Sequence, residues 1–410
     1  MKAEPHDCRP RRRRKPAAIA VLAAMVAMAI AGRAAAASGP PVPEMRPVFQ
    51  RVSVVAVAEP AERQPYLAFP ALVDLGDRIL VSYKRGRSHG DDPGAVLDLV
   101  AIDPTRGSAT APRVIAALED RIMQMGEWAR FANGDIASYI DAQQPVAPER
   151  VGLRSVRSTD GGKNFGPLER VGTVDGVEYG YAFEAITEGR DTWMLAMTFS
   201  NLPGGRSIYP GRPAAGSVDV IRTGDNGRTW HLVRGLTKEF GDIPINESSF
   251  LRQGDGFLVT TRGYDNRERL HLTDGDFKVR RQVDLTATYD FITSYVGRPR
   301  LFARDGRVYL LGRNWTKPTP LPAGPPVAGG PTRRINEQLC LFRIDPEQLA
   351  VTAYCVLDNA EAANVTDGYY AMPFFREVDG RTRLNVITYK GVDGQPPQII
   401  RLEYLWDEVR

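Results

Sequence analysis

Cysteine and histidine are scarce: the 410-residue chain has three of the first and four of the second. They form no cluster with the spacing of zinc ligands, so we expect neither a metal nor another cofactor. Cys340 and Cys355 flank a turn at residues 345–348. This placement leaves two alternatives open, a cross-strand disulfide in an exported protein or two buried thiols on neighbouring strands.

Hydrophobic runs long enough for a membrane-spanning helix are also missing. The apolar stretch at residues 17–32 falls short of the roughly 20 residues that such a helix needs, so a permanent anchor is the less favoured alternative. A basic cluster at residues 9–15 precedes the stretch, and small residues at 34–37 follow it. This order indicates a secretory signal peptide over residues 1–37. We therefore expect a secreted or periplasmic protein that leaves the membrane after cleavage.

A strong positive charge is missing once that leader is removed. Residues 1–37 carry eight Lys and Arg against two Asp and Glu, whereas the whole chain has a net charge of +4. The remainder is therefore slightly acidic, near −2. Such a surface has no basic field that would attract nucleic acid or an anionic membrane, so neither is expected as a partner.

The 3.6-residue hydrophobic period of amphipathic helices is absent too, so we expect little helix. Instead, a unit made of an apolar strand, a short turn with glycine and a second strand occurs six times. The copies lie at residues 69–84, 123–139, 181–199, 249–262, 299–313 and 371–390. Their turn glycines are Gly76, Gly134, Gly189, Gly256, Gly306 and Gly380.

Each hairpin is followed by more polar strands, and four strands per repeat make the blade of a propeller. The last repeat is one strand short, while residues 52–58 form a strand without a partner before the first hairpin. We therefore predict an all-β, six-bladed propeller over residues 51–410, after a linker at 38–50. The N-terminal strand is expected to complete the last blade and close the ring. A single domain and a monomer are expected.

The long irregular segments all connect strands at one face of such a ring, where a binding site is expected. They lie at residues 88–94, 141–150, 200–216 and 317–332.

Two outer turns share the pattern Ser/Thr-x-Asp-x-Gly-x-x-aromatic, at residues 158–165 (STDGGKNF) and 223–230 (TGDNGRTW). The pattern resembles the Asp-box of the sialidase (neuraminidase) superfamily, whose members are six-bladed propellers with Asp-box, or BNR, repeats. The resemblance implies that Asp160 and Asp225 hold turns on the face away from the active site.

The same resemblance implies a catalytic site, because sialidases use a tyrosine nucleophile, a glutamate that takes its proton and an aspartate as acid and base. Tyr370, before the Asp-Gly turn of the last hairpin, matches the nucleophile. Glu247 and Arg262, at the two ends of the fourth hairpin, match its partner and one substrate-binding arginine. Asp92 and Asp91, in the loop after the first hairpin, both match the acid/base, with Asp92 favoured.

In sialidases, three arginines grip the sugar carboxylate with charge-assisted bonds. The resemblance departs here, because Ala68 occupies the place of the first arginine. Arg85 or Arg87 is expected to replace it from the neighbouring loop. The third arginine is expected near the fifth hairpin, and the candidates are Arg298, Arg300, Arg333 and Arg334.

His89 leaves two alternatives open, a general base of a lyase-type propeller or a residue that orders its loop by bonding to Asp91 or Asp92. Further expected sugar contacts are His89, Glu127, Tyr181, Glu184, Arg298, Arg313 and Trp315.

Together these features predict a secreted exo-glycoside hydrolase that acts on an acidic terminal sugar of a glycan or glycoconjugate, with sialic acid as one candidate. The alternatives are a carbohydrate-binding propeller without catalysis, a polysaccharide-lyase-type propeller and a structural or protein-interaction propeller.

Overall fold

Small antiparallel sheets make up nearly all the regular structure in the computed structural model. It describes residues 42–58, 63–90, 92–145, 149–198, 217–316, 319–320, 333–334, 336–358, 365–392 and 395–406. Six sheets of four or five strands form the six blades of a propeller, as the repeats predict. Within these ranges, helix is confined to two single turns, α1 (Leu236–Glu239) and α2 (Leu285–Thr288).

The strands follow one another blade by blade after β1 (Val48–Ala56). The first blade contains β2 (Tyr66–Asp74), β3 (Ile79–Gly86), β4 (Val96–Ile102) and β5 (Arg113–Ala116). The second contains β6 (Ile122–Arg130), β7 (Ile136–Gln144), β8 (Glu149–Arg150), β9 (Arg154–Ser158) and β10 (Glu169–Arg170). The third contains β11 (Thr173–Val174), β12 (Val177–Glu188), β13 (Asp191–Thr198), β14 (Val218–Thr223) and β15 (His231–Gly235).

The fourth blade contains β16 (Ile245–Gln253), β17 (Gly256–Gly263), β18 (Glu268–Thr273) and β19 (Val279–Asp284). The fifth contains β20 (Gly297–Arg304), β21 (Arg307–Trp315), β24 (Glu337–Asp345) and β25 (Ala350–Asp358), with the small hairpin β22 (Thr319–Pro320) and β23 (Arg333–Arg334) between them in sequence. The sixth contains β26 (Val365–Gly368), β27 (Met372–Val378), β28 (Arg381–Val392) and β29 (Gln398–Leu405).

The ring is closed by its first strand. β1 pairs antiparallel with β29, so that Val52 lies opposite Leu402 and the N-terminal strand is the outermost strand of the sixth blade. This closure confirms the prediction from the strand that lacked a partner. It also pairs the outer side of β29, which would otherwise expose its backbone groups as a sheet edge.

The axis is lined by the innermost strand of each blade, namely β2, β6, β12, β16, β20 and β27. Five of these six strands have an irregular register against their hairpin partner. The shifts fall between Ala68 and Ala71 in β2, Met123 and Met125 in β6, Ala182 and Glu184 in β12, Ile245 and Ser248 in β16, and Gly297 and Arg300 in β20. In the sixth blade, the chain leaves the ladder between β26 and β27. A bulge re-aims side chains that regular alternation would send elsewhere. The residues of the candidate site lie at or next to these irregular positions of the innermost strands.

The turns correct one sequence prediction, and the strands settle the alternative left open for the two cysteines. In the fourth hairpin, the turn glycine with positive φ is Gly254 (φ 58°), whereas Gly256 is already the first residue of β17. Cys340 and Cys355 are free, buried thiols. Cys355 lies opposite Leu341, and Cys340 lies opposite Val356, so the two thiols point to opposite faces of the sheet and cannot bond.

The two patterned outer turns are held by their own aspartates. Asp160 accepts hydrogen bonds from the Asn164 backbone at 2.9 Å and the Ser158 hydroxyl at 2.8 Å. Asp225 accepts equivalent bonds from the Thr229 backbone at 2.9 Å and the Thr223 hydroxyl at 2.7 Å. These contacts give both carboxylates a structural role within their turns.

Of the long segments expected near a binding face, most of 200–216 and 317–332 lies outside the described residues. No described helix has the length and apolar character needed to cross a membrane.

Candidate active site

A tyrosine, a glutamate and an arginine from two different blades meet at the axis. The Arg262 guanidinium donates to the Glu247 carboxylate and lies 3.3 Å from the Tyr370 hydroxyl. The Glu247 carboxylate is close enough to the Tyr370 phenol for its charge to raise the pKa of that phenol. The three residues expected from the resemblance are therefore brought together.

The strands explain how this happens. Glu247 lies in the bulge of β16, Arg262 comes from the paired strand β17, and Tyr370 lies between β26 and β27. Tyr369 adopts a left-handed backbone (φ 65°), and its hydroxyl donates instead to Asp358 at 2.9 Å. The irregular backbone thus directs two adjacent tyrosines to different partners.

The carboxylate of Glu247 is buried but remains ionised. Burial raises its pKa, yet the Arg262 and Arg298 guanidiniums outweigh that effect and lower the pKa to about 2. Tyr181 donates to the same carboxylate at 2.9 Å. Burial, with the charge of Glu247, raises the pKa of the Tyr370 phenol above its usual value, so the phenol is neutral at neutral pH.

A buried network of charges extends from this cluster along the axis. Arg298 and Arg300 both donate to the Oε2 atom of Glu127 at 2.5 Å. Arg300 also lies 3.5 Å from Glu184, whose pKa burial raises to about 7 against the pull of that guanidinium. Arg298 donates to the Tyr181 hydroxyl at 2.9 Å, which links this network to Glu247. Two expected substrate arginines therefore bind protein carboxylates.

Arg313 borders the cluster on the other side. Its guanidinium lies 3.1 Å from Glu337, 5.0 Å from the centre of the Tyr370 ring and 4.8 Å from that of Trp315. Burial raises the pKa of Glu337 to about 7, although Arg313 opposes the shift. Sequence reasoning missed Glu337, which begins β24 as an isolated acidic residue before an apolar run.

A second carboxylate-centred group lies beside Tyr370. Asp367 accepts hydrogen bonds from the Tyr66 hydroxyl and, at 2.7 Å, from the Tyr389 hydroxyl. The Nδ1 atom of His89 lies 2.8 Å from the Asp367 carboxylate. Burial raises the pKa of Asp367, but the bonds from His89 and the two tyrosines outweigh it and leave the pKa lowered. His89 therefore bonds to another blade and not to Asp92, which is one of the two loop aspartates expected as its partner.

The structure does not bring Asp92 to this cluster, contrary to its expected place as acid/base. Its carboxylate is fully buried and accepts the Arg87 backbone N–H at 2.7 Å and the Arg87 side chain at 3.2 Å. The Lys84 amino group lies 3.5 Å away. Asp92 thus anchors its own loop and is closed off from solvent. Asp91 lies outside the described residues.

Neither loop arginine replaces the one missing at Ala68. Arg87 binds Asp92, as above, and Arg85 binds Asp98 at 2.7 Å on the neighbouring strand β4. Ala68 itself is buried and pairs across the hairpin with Lys84. The side chain of Arg334 lies outside the described residues. The arginines around Tyr370 are therefore Arg262, Arg298 and Arg313, with Arg300 behind Arg298.

No protein-family model and no curated protein matches the sequence. Solved structures do match. A protein of unknown function from Dyadobacter fermentans has a TM-score of 0.64 at 16% identity, over 89% of this chain and 100% of that one. The chain shares its fold with glycoside hydrolase propellers.

Two of these are the NanB sialidase of Streptococcus pneumoniae and an α-L-arabinanase of Penicillium chrysogenum complexed with arabinobiose. NanB has a TM-score of 0.56 at 9% identity, over 88% of this chain and 71% of that one. The arabinanase has a TM-score of 0.54 at 8% identity, over 89% and 100%. At these identities the likeness establishes the fold alone.

The chemistry available at the axis is that of polar side chains. In the described part of the chain, no group of three or more His, Cys, Asp or Glu side chains could hold a metal ion. The cluster instead offers an ionised carboxylate against a phenol, Glu247 and Tyr370, and a histidine held by Asp367. A signal for Asp367 was present in the sequence, three residues before Tyr370 in a segment already matched to the nucleophile.

Proposed function

We propose that the protein is a glycoside hydrolase in which Tyr370 is the nucleophile and Glu247 accepts its proton. The observation that carries this proposal is the Arg262 guanidinium at the axis, which donates to the Glu247 carboxylate and lies 3.3 Å from the Tyr370 phenol oxygen. A phenol has a pKa near 10 in water and is a weak nucleophile unless a base and a cation lie beside it. Both are present here.

In the proposed first step, the phenol oxygen attacks the anomeric carbon while its proton moves to Glu247. The low pKa of Glu247 makes it a weak base, so the proton moves as the new C–O bond forms and not before. The Arg262 N–H that lies 3.3 Å from the phenol oxygen stabilises the negative charge that develops there. Water then releases the sugar from Tyr370 in a second step.

The acidic sugar expected from the resemblance has less support than the reaction type. A carboxylate-binding site needs guanidinium groups that are not already neutralised. Around Tyr370, Arg262 is paired with Glu247 and Arg298 with Glu127, both of them buried pairs. Arg313 lies beside Glu337, whose pKa of about 7 leaves that carboxyl partly ionised at neutral pH. Sialic acid is therefore one member of the substrate panel below, and a neutral terminal sugar is the stronger candidate.

Export is a separate part of the proposal. It rests on the leader pattern at residues 1–37, which lie outside the described residues, and on the slightly acidic charge of the remainder. The proposed partner is a glycan outside the cytoplasm. The assignment of the two patterned turns to the Asp-box class belongs to the same proposal, supported by their hydrogen bonding.

The test measures release of methylumbelliferone from a panel of aryl glycosides of neutral sugars, uronic acids and sialic acid. Wild-type protein is compared with Tyr370→Phe, which removes only the nucleophilic oxygen. Tyr179→Phe is the matched control, because that phenol is equally buried and donates to a carboxylate, Asp219, at 2.8 Å in another apolar cluster. We expect Tyr370→Phe to lower turnover on the order of 10³-fold or more and Tyr179→Phe to change it little.

Two other outcomes would contradict the proposal. Glycan binding without turnover of any substrate would assign the protein to the carbohydrate-binding propellers. Release of an unsaturated uronic product would identify a lyase, in which case Tyr370 is not a nucleophile.

A further inference from the structure

The proposed hydrolase needs a group that gives a proton to the leaving oxygen, and Asp92 is closed off from solvent. We infer that His89 is the general acid and base of this reaction, held in place by the carboxylate of Asp367. The inference rests on the proposed function. It starts from a difference in exposure: the His89 side chain is 57% exposed, whereas that of Asp367 is 20% exposed.

The hydrogen bonding fixes which imidazole nitrogen is available. Asp367 is ionised and can only accept, so the Nδ1 atom of His89, 2.8 Å away, carries a hydrogen. Tyr66 and Tyr389 donate to the same carboxylate and fix its orientation. Among the described residues, no side chain bonds to Nε2. That nitrogen is left to exchange a proton with a substrate, as in other carboxylate–imidazole pairs.

The backbone of His89 is held as firmly as its ring. The buried amino group of Lys84 donates to the carbonyl oxygens of Ser88 at 2.8 Å and His89 at 3.2 Å. The Gln124 amide donates to the same His89 oxygen at 2.7 Å. Asp92 closes the loop through the backbone N–H groups of Arg87 and Ser88. A loop with this many bonds to two blades places its side chain as a catalytic group requires.

His89 and the nucleophile both lie against the Phe69 ring. The Phe69 ring separates them, with its centre 4.9 Å from that of His89 and 5.5 Å from that of Tyr370. The imidazole and the phenol therefore flank one buried ring, and a sugar above Phe69 would lie between them. Phe69 has a left-handed backbone (φ 56°), which is unusual for a bulky residue and places its ring at this point.

The proton balance is complete with these groups. In the first step, the protonated imidazole gives its Nε2 proton to the leaving oxygen as the glycosidic bond breaks and the phenol proton passes to Glu247. In the second step, neutral Nε2 takes a proton from water as the water oxygen bonds to the anomeric carbon. The phenol oxygen leaves and recovers its proton from Glu247. Water is the only co-reactant.

Among the described residues, the charged and titratable side chains that face His89 are Asp367 and Tyr66, which contact it, and Glu337. The Lys84 amino group bonds to its backbone oxygen. Glu337 is the competing proton donor. It lies beside Arg313 and is only 8% exposed, which makes it less accessible than the imidazole.

The experiment compares leaving groups. The sugar that the wild-type protein hydrolyses is supplied as a phenyl glycoside, which needs a proton donor, and as a dinitrophenyl glycoside, which leaves without one. His89→Gln should lower kcat/KM for the phenyl glycoside by about 10²- to 10⁴-fold and that for the dinitrophenyl glycoside far less. Asp367→Asn should also lower kcat/KM more for the phenyl glycoside than for the dinitrophenyl glycoside, because the amide no longer holds the imidazole with its hydrogen on Nδ1.

Glu337→Gln separates the two donors. If this variant, and not His89→Gln, shows the leaving-group-dependent loss, the inference is overturned while the proposed hydrolase stands. Equal losses on both substrates for His89→Gln would also overturn it, since they indicate a binding or structural role. If the wild-type protein hydrolyses neither substrate of any sugar, the proposed function fails and the inference fails with it.

Discussion

The contribution of the buried charge network to stability can be tested by substituting Glu127, whose carboxylate binds two arginines. Arg298 and Arg300 both donate to its Oε2 atom at 2.5 Å, and all three side chains are no more than 4% exposed. Glu127→Gln keeps the shape and one acceptor oxygen but removes the charge. Two guanidinium groups would then remain buried with one fewer carboxylate.

Removing one partner of a buried ion pair costs about 3–5 kcal/mol, because the remaining charge stays desolvated. Glu184 offsets part of this cost. Its pKa of about 7 is raised by burial and by the charge of Glu127, so it ionises more fully beside Arg300 once Glu127 is neutral. We therefore expect a loss near the lower end, about 3 kcal/mol in the free energy of unfolding.

The assay is urea unfolding at neutral pH, with Asp255→Asn as the matched control. Asp255 also binds a guanidinium with two oxygens, that of Arg280, at 2.7 Å. These side chains are 75% and 45% exposed, so the pair has nearly the same geometry without burial. We expect a far smaller effect there. Equal shifts of the unfolding midpoint in the two variants would refute the reasoning, because burial would then not determine the cost.

Two further predictions concern buried groups outside the site. Burial lowers the pKa of His271 from its usual 6.5 to about 3, so only the unfolded chain takes up that proton between these values and stability falls as pH falls. Between about pH 6.5 and pH 5, His271 should account for about 2 kcal/mol of lost stability, and His271→Gln should show a shallower decline in urea unfolding. Cys340 and Cys355 should not react with a thiol reagent in the native protein, because both are buried and burial raises the pKa of both thiols. A reductant should not change the melting temperature, because the two thiols are not bonded to each other. A reductant-dependent melting temperature would contradict the free thiols.

The propeller could be predicted from the sequence because its signal is repeated. Six hairpins of similar length, each followed by polar strands, constrain one another, and an error in one copy leaves the count unchanged. The closing strand could be predicted by counting strands, because the last repeat lacked one strand and one strand before the first hairpin had no partner. The turn glycine at Gly254 could not be distinguished from Gly256, because both flank Asp255 and only the backbone angles show which one turns.

The site was predictable only in part. Glu247, Arg262 and Tyr370 were found because each matches a position in a family pattern. The role of Asp92 depended on whether its carboxylate faces the axis or its own loop, and that is decided by the buried Lys84 on the neighbouring strand. The spacing of residues in the sequence does not show which way the Asp92 carboxylate points. Contacts between blades, such as that of His89 with Asp367, are equally invisible in a single sequence.

The irregular starts of the inner strands explain why alternation could not locate the site. A regular strand has a side-chain period of two, so neighbouring residues face opposite sides of the sheet at fixed positions. At Phe69, Arg298 and Tyr369 the backbone is instead left-handed, a conformation that costs of order 1–3 kcal/mol for such residues. All three positions lie where β2, β20 and the last blade approach the axis, and each borders a residue of the proposed site. These are three of the twelve described non-glycine residues with positive φ, and at these three the strained backbone places side chains at the axis. A propeller that needed only its scaffold would gain stability from regular strands at these positions.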